Sequence, residues 1–142
     1  MPTSTASATW EGGLRGGRGN FSAGSKAFQG AYSFGTRFEG TAGTNPEELI
    51  AAAHAACYSM ALSAGLEAAG TPATRVSTTA RCTVEKTGDG FKITTMRLET
   101  VGSVPGIDQA AFEKAAKAAS EGCPVSGALK GNVKIELDAR LA

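Results

Sequence analysis

The sequence predicts an α+β protein of one domain, residues 1–142, with elements in the order βββ–α–ββ–αα–β. Three observations predict it. Short apolar runs broken by glycine fill the first 40 residues, the pattern of brief antiparallel strands joined by turns. An alanine-rich stretch with start and stop signals at its ends follows, as a long helix requires. Strict alternation of apolar and polar residues then returns on both sides of a second helical segment.

Taken in order, "SATWEG", "GRGNFSAG" and "AFQGAYSF" are the first strands. "GTNPEELIAAAHAACYSMALSAGLEAAG" is the long helix. Asn45 is its N-cap, Pro46 suits the first helical position, and Glu47 and Glu48 complement the positive end of the helix dipole. Gly70 stops it and Pro72 prevents its return. Unbroken, it runs about 24 residues and roughly 36 Å, longer than a small domain is wide. Residues 49–66 reach the length of a minimal membrane span, but most are Ala or Ser and one is His, which fits a helix of a soluble protein. From Leu49 to Leu66 apolar residues occupy nearly every face, so the helix needs cover all round. Short strands from one chain do not supply it, and a homodimer in which each subunit helps bury the other's helix is expected.

In "RVSTTARCTVEKT" the residues Val76, Thr78, Ala80, Cys82 and Val84 share one face, and "GDG" at 88–90 signals a hairpin turn. The next strand keeps its alternation through Ile93 and then changes parity to Met96 and Leu98, which predicts a bulge or bend near Thr94–Thr95. Residues 108–121 form the second helix, capped by Asp108 and ended by Gly122. "CPVSGALKG" starts a short third helix with Pro124 in first position, and "NVKIELDARLA" closes the chain as a strand with Val133, Ile135, Leu137, Ala139 and Leu141 inward.

Net charge is +1 with acids and bases intermixed, so no basic stripe recruits nucleic acid. The first residues, "MPTSTASATWEGG", lack the basic patch and apolar run of a secretory signal. The three cysteines include no C-x-x-C, and the single His, His54, leaves no paired-His zinc site. A cytoplasmic location is expected, and in that reducing setting a widely spaced Cys pair reads as redox-active rather than structural.

The cysteines differ in setting. Cys82 lies between Ala80 and Val84 on an apolar strand face and reads as packing. Cys123 falls at the N-cap of the short third helix, where free amides favour a thiolate. Cys57 lies well past the first turn of its helix, beyond reach of the dipole, and apolar burial would raise its pKa. To be reactive it needs a nearby cation, and His54, Arg18 and Arg37 are the candidates.

"TRFEGTAGTNPEELIAAAHAACYSMALS" and "GCPVS" closely resemble the osmotically inducible protein C branch of the OsmC/Ohr family, and "ATWEG" and "VPGID" fit as well. The likeness spans essentially the whole chain. "AAHAACYSMA" stands where the organic hydroperoxide resistance branch has "AAGYAACF". The resemblance implies an intertwined homodimer, antiparallel sheets wrapped around long central helices, with active sites at the subunit interface. It implies a thiol peroxidase of oxidative and osmotic stress defence that reduces organic hydroperoxides without metal, haem or flavin. Cys57 then corresponds to the peroxidatic Cys, Cys123 to the resolving Cys, Glu47 to the family's Glu and Arg37 to its Arg, with Arg18 as the alternative Arg. The implied partners are a second copy of the chain, a small organic hydroperoxide and an external dithiol, a lipoyl-type one included, with no nucleic acid and no membrane.

In the implied reaction Arg37 lowers the Cys57 pKa, and Glu47 holds the guanidinium fork as a bidentate pair. Met60, Leu62 and Phe38 are candidates for an apolar lining. Ten residues separate Glu47 from Cys57, about 15 Å on an unbroken helix, too far for one guanidinium to bridge. Either the helix bends within Ala51–Ala53 or Glu47 serves the partner's site. His54 reads as a polar helix residue satisfied by a neighbour. Two other functions fit the same residues: a Cys57–His54 acyl-transfer hydrolase, which lacks an evident oxyanion hole, and a non-catalytic dimer that binds an apolar ligand or a lipoyl protein.

Overall fold

The computed structural model describes all residues, Met1–Ala142, as two compact units, Met1–Leu49 and Ile50–Ala142. The first unit is a three-stranded antiparallel meander of β1 (Ala6–Glu11), β2 (Arg18–Ala23) and β3 (Gln29–Tyr32). The aromatic rings of these strands pack on one another, Trp10 and Phe21 both leaning on Tyr32 at centroid distances of 5.5 and 6.0 Å. A short helix follows that the sequence pattern does not announce, α1 (Phe34–Phe38). A capping box starts it. The Ser33 hydroxyl accepts from the Thr36 amide, and the Thr36 hydroxyl accepts from the Ser33 amide.

The long helix α2 (Pro46–Ala68) begins in the first unit and continues in the second. Asn45 caps it as expected, its side-chain oxygen accepting from the Glu48 amide at 2.8 Å. Its amide group donates to the Thr36 carbonyl, which ties the start of α2 to α1. At the far end Gly70 takes a left-handed φ of +83°, the Thr71 amide donates to the Leu66 carbonyl, and the Gly70 amide to that of Glu67. That pair of bonds is the Schellman stop, and its left-handed residue favours glycine.

The second unit adds β4 (Arg75–Thr87), β5 (Gly90–Ser103), α3 (Gln109–Gly122), α4 (Pro124–Leu129) and β6 (Lys134–Leu141), with the sheet ordered β4–β5–β6. β4 and β5 are antiparallel, and their register slips where Thr83 faces Thr95 but Val84 faces Ile93. Thr94 is the extra residue, so the change of parity in the sequence marks a real bulge. β6 differs from the antiparallel sheets expected: it pairs parallel to β5. The reason is the connection, because α3 and α4 carry the chain back along the sheet before β6 begins, as a parallel crossover must.

The core of this unit joins Tyr58, Leu62 and Leu66 of α2 to Met96 and Leu98 of β5 and to Phe112, Ala116 and Ala119 of α3. Cys82 packs against it from β4. α2 itself is poorly covered. It is long and apolar enough to cross a membrane by length and composition, and 22% of its most apolar window is buried. Ala52, Ala53, Ala56, Met60 and Ala64, at helical spacing, are exposed.

Candidate active site

The candidate residues gather in two clusters, one in each unit. In the second unit, α2 presents His54, Cys57 and Tyr58 three and four residues apart, hence on one side of the helix. The junction of α3 and α4 brings Cys123 to them. The Cys57 and Cys123 sulfurs lie 3.0 Å apart, although the residues are 66 positions apart in sequence. Both are free thiols; Cys57 is half-buried and Cys123 buried.

Their electrostatics differ. Burial pushes the Cys57 thiol above its ordinary range, and its hydrogen bond with Cys123 adds to the effect. Burial also works against the Cys123 anion, but the hydrogen bond with Cys57, the amides of Ser126 and Val125 and the Ser126 hydroxyl outweigh it. Cys123 is therefore the more acidic sulfur, as its place before a helix suggests. Within this unit the surroundings of Cys57 favour its protonated form on balance, although a backbone hydrogen bond from Val125 works the other way.

Three buried polar groups surround the pair. The Tyr58 hydroxyl donates to the Ala116 carbonyl at 3.0 Å, and burial holds it well above the usual tyrosine range. His54 is fully buried, with Nε2 2.7 Å from Oγ of Ser126, itself buried. Burial lowers the His54 pKa, so the ring is neutral at pH 7. Its Nδ1 is buried with no partner.

In the first unit, Arg37 of α1 and Glu47 of α2 form an ion pair. Arg37 Nε and Nη2 each lie 2.8 Å from the same Glu47 oxygen, Oε1. The pairing thus departs from a two-oxygen fork. Both nitrogens converge on Oε1, and the buried Oε2 has no partner. The guanidinium lies 5.1 Å from the centroid of Phe38. Arg37 and Phe38 line a cavity of about 270 Å3 with Trp10, Leu14, Tyr32 and Phe34. Arg18, the other Arg considered, is exposed on β2 and reaches only Glu11 at 3.8 Å.

The structure thus pairs Cys57 with Cys123, and Arg37 with Glu47. Of the proposed apolar lining, Phe38 belongs to the Arg37 cavity, while Leu62 is wholly inside the core and Met60 is 75% exposed. Ser126 and Tyr58 escaped the sequence reading. Ser126 had a signal available, because it stands three residues after Cys123, at the third position of α4, where its amide and hydroxyl face the N-cap.

Residues 38–138 match the family described as OsmC-like protein. The chain is 48% identical to Peroxiredoxin OsmC of Escherichia coli (strain K12) over 130 residues, 91% of each chain. It is 32% identical to Organic hydroperoxide resistance protein OhrB of Bacillus subtilis (strain 168), over 70% of this chain and 72% of that one. Its fold is similar to the crystal structure of an organic hydroperoxide resistance protein OsmC from Legionella pneumophila, with a TM-score of 0.78 at 28% identity over 96% of both chains.

Proposed function

The chain belongs to the OsmC-like family, and from that premise we propose that it is a cysteine-based peroxidase of the stress response that reduces organic hydroperoxides to alcohols. The observation that carries this is the 3.0 Å contact between the Cys57 and Cys123 sulfurs. Two thiols brought together from distant parts of the chain can take up two oxidising equivalents as a disulfide, and closure needs an approach of about 1 Å.

Cys57 is the peroxidatic residue. Its thiolate attacks the terminal oxygen of the peroxide, the O–O bond breaks, and the alkoxide leaves as alcohol after taking a proton. Cys57 is left as sulfenic acid. Cys123 attacks that sulfur, the S–O bond breaks, water leaves, and the disulfide forms. An external dithiol returns both thiols by exchange.

Cys57 needs a cation to ionise near neutral pH, and Arg37, held by Glu47, supplies it. The aromatic cavity beside Arg37 gives an apolar peroxide a place to rest near that charge. The site is completed across a homodimer, an arrangement favoured by the exposed apolar face of α2. A cytoplasmic setting, where dithiol reductants persist, suits the cycle.

Stopped-flow mixing with cumene hydroperoxide tests this. The parent protein consumes one equivalent in a rapid burst without added reductant and loses two free thiols per chain. Cys57→Ser abolishes the burst. A parent protein that consumes no peroxide overturns the proposal.

A further inference from the structure

The peroxide cycle gives no task to His54, although a neutral imidazole in a protein core is costly to bury and is normally retained only with its polar atoms satisfied. We propose that His54 and Ser126 form a positioning pair for Cys123, the buried imidazole holding the Ser126 hydroxyl so that it donates to the Cys123 sulfur and keeps that sulfur aimed at Cys57 for disulfide closure. The inference rests on the peroxidase reading above and deepens it.

Geometry carries it. His54 stands three residues before Cys57 on α2, and Ser126 three residues after Cys123 on α4. The 2.7 Å bond between them spans 72 positions of sequence. It therefore ties together the same two segments that the sulfurs join. Both side chains are buried, His54 completely.

The orphaned Nδ1 decides the direction of the bonds. A buried N–H without an acceptor is rarer in folded proteins than an acceptor without a donor. The hydrogen accordingly sits on Nε2, which donates to Ser126 Oγ. The single Ser126 hydrogen is then free to point at Cys123, where the hydroxyl is among the groups that favour the anion.

In the resolving step the Cys123 thiolate attacks the Cys57 sulfenic sulfur. The S–S bond forms as the S–O bond breaks, and the departing hydroxide takes up the proton that Cys123 had released. No electrons enter from outside. The titratable groups facing Cys123 are Cys57 and Tyr58 of α2. Glu121 and Lys130 share a hollow of about 170 Å3 with Ser126.

The test separates the two chemical steps. Full-length protein receives one equivalent of cumene hydroperoxide and is quenched at intervals with dimedone and iodoacetamide. Mass spectrometry of the Cys57 and Cys123 peptides then follows sulfenic acid and disulfide. Ser126→Ala is expected to lower the ratio of closure rate to sulfenic-acid formation rate by about tenfold or more, the scale of a lost hydrogen bond to a charged group. The pH midpoint of closure moves upward with it. His54→Leu has the same effect, while Ser126→Thr, which keeps the hydroxyl, restores the parent ratio. The proposal is overturned if Ser126→Ala and His54→Leu both close at the parent ratio across pH. It is also overturned if Ser126→Thr is as slow as Ser126→Ala, because the site would then be packing rather than aiming. A parent that never forms the Cys57 sulfenic acid brings down the peroxidase reading itself, a separate outcome.

Discussion

At Cys57 two influences oppose each other. Burial and the neighbouring thiol keep its proton on, whereas the proposed chemistry requires it off. In the proposed site a guanidinium reverses the balance, because a nearby cation favours the anion and lowers the pKa. Arg37→Ala should therefore raise the Cys57 pKa and slow peroxide consumption at pH 7, by about tenfold for every pH unit that the thiol's titration midpoint rises. The rate recovers as pH rises, and stopped-flow profiles from pH 6 to 10 check this. His54 gives a second expectation. Its folded pKa lies below its ordinary 6.5, so between that value and the folded pKa the unfolded chain binds a proton that the native protein refuses. Its contribution to stability is complete above pH 6.5 and is lost as pH falls below it. Thermal unfolding between pH 7.5 and 5.5 should show this slope in the parent and a flatter one in His54→Leu. The opposed settings of the two sulfurs were legible from the sequence, since one residue precedes a helix and the other lies deep inside one. The contact of His54 with Ser126 was not, because it depends on how α4 packs beside α2, and no local pattern encodes that.

At the scale of elements, local signals located most of the fold. The Asn45 and Asp108 caps, the Gly70 stop and the change of parity at Thr94 all act through a few neighbouring residues, and each appears where the sequence placed it. α1 was missed because its start depends on the reciprocal Ser33–Thr36 capping box inside a glycine-rich stretch with no apolar period. The parallel pairing of β6 was missed because alternation reports which face is buried and not which way a strand runs. Gly102 marks how tightly β5 and α3 meet. A Cβ there would lie 2.4 Å from Phe112 Cε1, too close without displacement of the buried ring. Gly102→Ala should lower unfolding free energy by about 1–3 kcal/mol, the usual cost of overpacking a core, as a reduced urea midpoint will show.

For the whole molecule, the decisive feature is the apolar face of α2 left open by its own chain. Sedimentation should find a species of twice the 14.3 kDa chain mass. Met60 is 75% exposed in the single chain, so Met60→Glu would be nearly neutral in a monomer. In a dimer it would bury a charge and shift the sedimenting species toward 14.3 kDa. The requirement for cover was legible in the sequence, because alanine and leucine surround the helix. The face that the chain leaves open is set by the placement of α3 and the second sheet.

Cys123 belongs to the crossover that connects β5 to its parallel neighbour β6. A covalent link from there to Cys57 would enclose 66 positions of chain and remove much of the freedom that the denatured polymer otherwise enjoys. Loop-closure entropy puts that constraint at about 4 kcal/mol. Peroxide would thus leave behind a molecule harder to melt and to digest than the one it met, and resistance to heat or protease would serve as a gauge of how much of the population awaits its reductant.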